Sequence, residues 1–272
     1  MNIADFEKLW KKGSRDKNAQ IAFWDGRAEE FNIIHQNNKN KSLNDVMVFF
    51  RSMGILNKDT EVLDIGCGPG RYSIEFAKKA KSVVGIDISQ KMIEFARENA
   101  EKEKVYNVSF DVLDWEDLDI EKSGLEKKFD IVFASMCPGI SSKKAIENMI
   151  KASKKICFIS NFASRKDYIR DRLSSIIYKD GKKENHNKTI YCGFNILWFM
   201  GYYPEITYFD AEWENVYTID KAISTYTSFF EMRNPLNEEQ KQEIHSYLKK
   251  IAKNNHVVEK TEAKIAWMYW YV

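Results

Sequence analysis

Proline, histidine and cysteine are scarce in this chain, with four of each among 272 residues. The cysteines, Cys67, Cys137, Cys157 and Cys192, form no C-x-x-C pair, so neither a zinc site nor a disulfide framework is expected. Four reduced thiols suit a cytoplasmic protein. The histidines, His35, His186, His245 and His256, are scattered and supply no evident catalytic base. An excess of one charge sign is also missing. Lys and Arg number 42 against 40 Asp and Glu, a net charge of +2, which gives no overall electrostatic footprint for nucleic acid. The longest apolar runs, such as 266–272, fall far short of the roughly 20 residues that span a bilayer. Residues 1–13 are polar and charged, without the apolar centre of a signal peptide. Together these absences predict a soluble cytoplasmic protein with no membrane partner and no metal, either monomer or homodimer.

What the chain does have is a change of period. Residues 1–57 carry apolar residues at helical spacing, including Phe6, Leu9 and Trp10, then Ile21, Trp24, Ala28 and Phe31, then Leu43, Val46, Met47 and Phe50. From residue 60, short apolar runs alternate with amphipathic helices. Strands are expected at 61–65, 82–87, 107–112, 129–134 and 156–160. Helices are expected at 70–80, after Ser89, and after Ser141 or Ser142. Such βαβ units build a parallel sheet with helices on both faces. Beyond residue 163 the pattern predicts a helix at 165–178, a polar loop at 179–188, a helix ending at Gly201 and a strand at 204–213. Further helices at 218–232 and after Asn237, which with Gln240 resembles a capping box, precede a closing strand at 263–272.

The most specific motif is Glu61-Val-Leu-Asp-Ile-Gly-Cys-Gly-Pro-Gly70, a strand running into three glycines at alternate positions and then a helix. A nicotinamide loop requires G-x-G-x-x-G, with the pyrophosphate on the helix N-terminus. Here the spacing is G-x-G-x-G, and Asp64 stands two residues before the first glycine. A carboxylate there repels a pyrophosphate and suits the ammonium of a methionine moiety. Asp87 ends the second strand, 21 residues after Gly66, in position to take two ribose hydroxyls, with Ile88 and Met92 as apolar neighbours of an adenine. Asp114 follows the third strand as a candidate acceptor from the adenine amino group, and Trp115 as a ring packing beside it. Each acid has a blander alternative, a helix-entry residue for Asp87 and a solvated acid for Asp114. Ser135-Met136-Cys137-Pro138-Gly139 follows the fourth strand, at the sheet edge where ligands of open α/β folds bind.

These four motifs resemble the class I S-adenosylmethionine (SAM)-dependent methyltransferases over about residues 58–163. The resemblance implies a doubly wound α/β fold with a seven-stranded, mostly parallel sheet of order 3-2-1-4-5-7-6, its last strand antiparallel. It implies a helical cap at 1–57 and a SAM-binding domain at 58–272 with a helical lid insertion at about 214–257. Carried over, Asp64, Gly66, Gly68 and Gly70 line the methionine end of SAM, Asp87 takes the ribose, and Asp114 with Trp115 the adenine. Cys67 is a further candidate cofactor contact in the loop, and Ser135 is a candidate cofactor contact facing the methionine part or the methyl acceptor. The stretch from Phe23 to Phe31 looks like the cap that closes over the cofactor in small-molecule members.

The implied activity is methyl transfer to a small-molecule acceptor, leaving S-adenosylhomocysteine (SAH). Trp24, Phe31, Met136, Cys137 and Tyr226 are candidate acceptor contacts, with core packing the alternative for the rings and space filling for the thiol. The Asn- or Asp-Pro-Pro-aromatic motif of base amino-methyltransferases is absent after strand four, which argues against base N-methylation. An RNA or protein methyltransferase using Lys143, Lys144, Arg165, Lys166 and the 182–188 loop, and a SAM-binding module without turnover, remain the alternatives.

Overall fold

The apolar runs from residue 61 onward become the parallel half of a single sheet in the computed structural model, which describes residues 1–10, 16–37, 41–178, 187–232 and 234–272. They are β1 (Glu61–Ile65), β2 (Ser82–Asp87), β3 (Val108–Val112), β4 (Phe129–Ser135) and β5 (Ser153–Asp167). Every β4 residue except Ser135 is buried, as a strand covered on both faces must be. Helices α4 (Arg71–Ala77), α5 (Gln90–Lys102) and α6 (Lys143–Ala152) supply that cover. Ser89 caps α5 by accepting from the Met92 amide at 3.1 Å, and Ser142 caps α6 by accepting from Ala145 at 3.1 Å. Strands β6 (Glu205–Thr218) and β7 (His256–Tyr271) complete the order β3-β2-β1-β4-β5-β7-β6. Strand β7 runs antiparallel to both neighbours, as the resemblance implied.

The three N-terminal helices go to three places. Helix α1 (Ile3–Trp10) packs with α8 (Lys188–Phe199), burying Phe6 and Trp10 in one face's core. Helix α3 (Lys41–Ser52) buries Val46, Met47 and Phe50 against Phe76, Phe133 and Phe158 in the core of the other face. Only α2 (Lys17–Asn37) crosses toward the carboxyl ends of the strands, where it packs on α5. A separate cluster joins α7 (Tyr168–Tyr178), α9 (Ile219–Glu231) and α10 (Glu238–Ile251) around Leu173, Ala222, Phe230, Ile244 and Leu248. The Asn237–Gln240 capping box forms as expected.

Three boundaries differ from the sequence expectation. Strand β5 continues to Asp167, so α7 starts at Tyr168 rather than Arg165. Strand β6 runs to Thr218, and β7 begins at His256 rather than Ala263. The cause is mutual pairing: Arg165 to Asp167 lie opposite Ala263 to Thr261, and Trp213 to Thr218 opposite Thr261 to His256. Ladder hydrogen bonds from two neighbouring strands override the local pattern. Most of the polar loop expected at 179–188 lies outside the described residues. No helix among them is long and apolar enough to cross a membrane.

Candidate functional site

The loop between β1 and α4 takes its shape from glycines with positive φ. Gly66 has φ +70°, and a Cβ there would lie 2.5 Å from Cys137 Sγ. It is glycine because the turn must be left-handed and because the segment after β4 packs directly on it. Gly68, at φ +53°, is different: a Cβ would have only Met92 Sδ within 4 Å, at 3.9 Å. Its surface is open to an incoming ligand. Gly70 precedes α4 and packs between Phe110 and Ala96.

Two acids flank this loop. Asp64 is buried on β1 and accepts from Ser73 Oγ at 2.6 Å. Burial pushes its carboxyl up to about 7, against the Ser73 hydrogen bond and with the Asp87 charge adding to the rise. No described cationic side chain offsets it. Asp87 accepts from the Gly68 amide at 3.0 Å and from the Ser89 amide at 2.9 Å. Burial raises it too. Each oxygen keeps a second lone pair for a hydroxyl donor. Ile88 is half-buried, and Met92 is buried beside Gly68.

Helix α2 is fastened over this edge by side chains. Asp25 accepts from Ser89 Oγ at 2.5 Å, and Asn99 donates to Asn32 at 2.8 Å and to the Pro69 carbonyl at 3.0 Å. Trp24 and Phe31 meet edge to face at 5.9 Å, and the Arg27 guanidinium lies 5.0 Å over Phe31. Asp114 accepts from the Glu116 amide at 3.0 Å and pairs with Lys17 at 2.8 Å. Hydrogen bonds to Asp114 and Asp117 raise the Lys17 ammonium above its ordinary range.

The structure withdraws two candidates from the cleft surface. Trp115 is a core side chain whose indole donates to the Ala145 carbonyl at 3.1 Å. Tyr226 is buried among the α7, α9 and α10 side chains and donates to Glu259 at 2.6 Å. Both rings look ligand-facing in a sequence because nothing local reveals which polar partner a buried Trp or Tyr finds.

The other predicted residues converge at the end of β4. Ser135 pairs with Ser160, and Met136, at φ +52°, donates its amide to the Ser160 carbonyl at 2.8 Å. Cys137 is buried, and burial pushes its thiol up to about 12. Such a thiol carries almost no thiolate at neutral pH, so it fills space against Gly66. Cys137→Ala is expected to keep the methyl-transfer rate within about threefold, far from the loss of orders of magnitude that follows removal of a nucleophile, as an initial-rate assay will test.

Sequence reasoning missed Arg71. Its Nε and Nη2 are buried without a hydrogen-bond partner, and its guanidinium lies 5.8 Å over the Tyr72 ring. The available signal was its place, directly after the third glycine. A buried carboxylate lacking a cation thus stands at one end of the loop and a guanidinium lacking an acceptor at the other, with an open glycine between. This set fits a zwitterionic amino-acid moiety.

A family model described as a methyltransferase domain matches residues 56–250. The ubiquinone biosynthesis O-methyltransferase of Acinetobacter baylyi is 29% identical over 172 residues, covering 61% of this chain and 64% of that protein. The 23S rRNA (uracil(1939)-C(5))-methyltransferase of Aliivibrio fischeri is 47% identical over 55 residues, 20% of this chain and 13% of that protein. The chain therefore spans less than two thirds of the length of these curated relatives. Among solved structures, magnesium protoporphyrin IX methyltransferase from Synechocystis PCC 6803 with bound SAH is similar at a TM-score of 0.53 and 19% identity, covering 71% of this chain and 93% of that one. With the matched region spanning the glycine loop and most of the sheet, the chain belongs to the class I SAM-dependent methyltransferases.

Proposed function

We propose that this protein transfers the methyl group of SAM to a small-molecule acceptor. The observation that carries the reading is the pair of unmet charges at the glycine loop, the buried Asp64 carboxylate and the Arg71 guanidinium. Asp64 would hold the ammonium of SAM and Arg71 its carboxylate. Asp87 would take the ribose hydroxyls, with Ile88, Met92 and Asp114 about the adenine. When bound, SAM supplies an electrophilic methyl on a sulfonium.

The chain's own contribution is positioning. Holding an acceptor in line with the methyl contributes about 7–11 kcal/mol. The end of β4 at Ser135 and Met136, Ser160 beside it on β5, and the α2 side chains Trp24 and Phe31 are placed to do this. A thiol raised to about 12 makes Cys137 a wall of that site rather than a nucleophile.

A small molecule is favoured over RNA by two features. Helix α2 is tied down by Asp25 and Asn99, which narrows access to the strand ends. The similarity to the O-methyltransferase covers 61% of this chain, and that to 23S rRNA enzymes from 20% to 48%.

The test is incubation with methyl-labelled SAM and a fractionated cell extract. Label in the small-molecule fraction is expected. Label in RNA or protein would redirect the reading, and no label anywhere would leave a binding module. Asp87→Ala and Arg71→Met are each expected to weaken SAH binding about tenfold in calorimetry, the loss of one charge-assisted contact.

A further inference from the structure

Helix α2 touches the three loops of the candidate cofactor site one after another along its length. Lys17, at its start, pairs with Asp114 at 2.8 Å. Asp25 accepts from Ser89 Oγ at 2.5 Å and from the Lys91 amide at 3.4 Å. Asn32 accepts from Asn99, which also donates to the Pro69 carbonyl inside the glycine loop at 3.0 Å. At 1.5 Å per residue the three contacts span about 22 Å of helix.

The contact at Ser89 is the most direct. Its amide donates to Asp87 at 2.9 Å while its hydroxyl donates to Asp25, so one residue joins the candidate ribose acid to α2. Burial raises the Asp87 carboxyl and the Asp25 charge adds to the rise, so the two carboxylates repel each other beside Ser89. Ribose hydroxyls donating to Asp87 would draw off negative charge there and ease that repulsion. A bound cofactor would thus favour the docked helix, the differential interaction that any ligand-driven shift requires.

Apolar burial contributes little to this docking. Of the described α2 side chains only Phe23, Ala28 and Asn32 are buried. Gly26, mid-helix, has nothing within 4 Å of where a Cβ would stand, so packing does not demand it and it weakens the helix. On its other side α2 meets the helical cluster through Phe23, whose ring lies 6.4 Å from that of Phe229, and Tyr217 of β6 donates to Glu30 at 3.5 Å. The anchors and the rings are arranged in step. Trp24 directly precedes Asp25, and Phe31 directly precedes Asn32. Two helical turns separate the members of each pair, so the rings share one stripe and the anchors the neighbouring one. Whatever fixes the anchor stripe also fixes the rings.

We propose that Asp25 and Asn32 are positioning residues for the methyl acceptor. They carry the order that SAM brings to the ribose and glycine loops across to Trp24 and Phe31, so the acceptor site is assembled once the cofactor is bound. The proposal rests on the small-molecule reading above.

The experiment is amide hydrogen exchange on the full-length protein with and without SAH, at concentrations that calorimetry shows to be saturating for each variant. In the wild type, SAH is expected to slow exchange over residues 21–34 by about fivefold or more, the size of a typical coupling between sites. Helices α1 and α3, which pack elsewhere, should not respond. Asp25→Ala and Asn32→Ala should each lose most of the α2 protection while the start of α5 stays protected by SAH. Asp25→Asn keeps an oxygen for the Ser89 hydroxyl and should retain most of it, a rescue that a general loss of stability would not produce. Protection of α2 that survives both alanine substitutions, or that Asp25→Asn loses as fully as Asp25→Ala, would overturn the proposal. The wild-type measurement decides even if an alanine variant does not fold, because SAH binding that leaves α2 exchange unchanged overturns this proposal alone. A protein that binds no SAH overturns the methyltransferase reading and this proposal with it.

Discussion

Asp64→Asn is expected to stabilise the unliganded protein at pH 8 while weakening SAH binding about 100-fold, the loss of a buried carboxylate–ammonium contact. In the folded state the Asp64 carboxyl is lifted by burial to about 7 from an ordinary 3.8. Between those values the folded protein holds a proton that the unfolded chain has released. Stability therefore falls as pH climbs from about 4 to about 7, then levels off. The penalty at pH 8 is about 4 kcal/mol, on the scale of 1.36 kcal/mol per unit. An amide keeps an oxygen to accept from Ser73 and carries no charge, so the variant avoids the penalty. Urea unfolding should find the two proteins similar near pH 4 and the variant more stable at pH 8. SAH binding reverses the order. The wild-type carboxylate must be ionised to hold the ammonium, so wild-type affinity should rise between pH 6 and pH 8. The variant's affinity should be nearly flat over that interval. Equal SAH affinity of the two proteins at pH 8 would remove Asp64 from the cofactor site.

Gly66→Ala is expected to destabilise the protein by about 3 kcal/mol. A left-handed conformation costs an L-residue about 1–2 kcal/mol. Overpacking adds about 1–3 kcal/mol where neighbours cannot move away. Both apply, because φ is +70° and the added Cβ would stand 2.5 Å from Cys137 Sγ and 2.9 Å from its Cβ. The Cys137 backbone cannot readily retreat, since the adjacent Met136 amide is bonded to the Ser160 carbonyl at 2.8 Å. Denaturant unfolding of Gly66→Ala alone and combined with Cys137→Gly separates the two contributions. The double variant should recover the steric part relative to Cys137→Gly and leave the conformational part.

The halves of the sheet differ in how plainly they can be read, and for a physical reason. Strands β1, β2 and β4 are enclosed by helices, so their residues must be apolar at consecutive positions, as in Val62, Leu63 and Ile65 or Ile131 to Ala134. The outer parts of β5, β6 and β7 interleave charged residues such as Glu212, Glu214, Lys260 and Lys264 with packed ones. Those charges pair across strands, as Lys260 does with Glu212 at 2.7 Å. No apolar run marks such strands, so their length emerges only from pairing. The same limit applies to rings: Trp115 and Trp24 are equally aromatic in the sequence, yet one is locked in the core and the other is half-buried on α2.

The sequence alone determined which runs form the parallel strands, the left-handed loop through Gly66, Gly68 and Gly70, and the acids Asp64 and Asp87 near the ends of β1 and β2, while the strand order came from the family resemblance. These depend on local rules: apolar runs bury, alternate glycines turn, and an acid at a strand end faces the next loop. Tertiary structure alone decided which polar atoms remain without partners, among them Arg71 Nε, Arg165 Nε and Thr261 Oγ1. It also decided that the Cys137 thiol is buried against Gly66. Partnering is a property of three-dimensional neighbours from distant parts of the chain, and residue spacing carries no record of it.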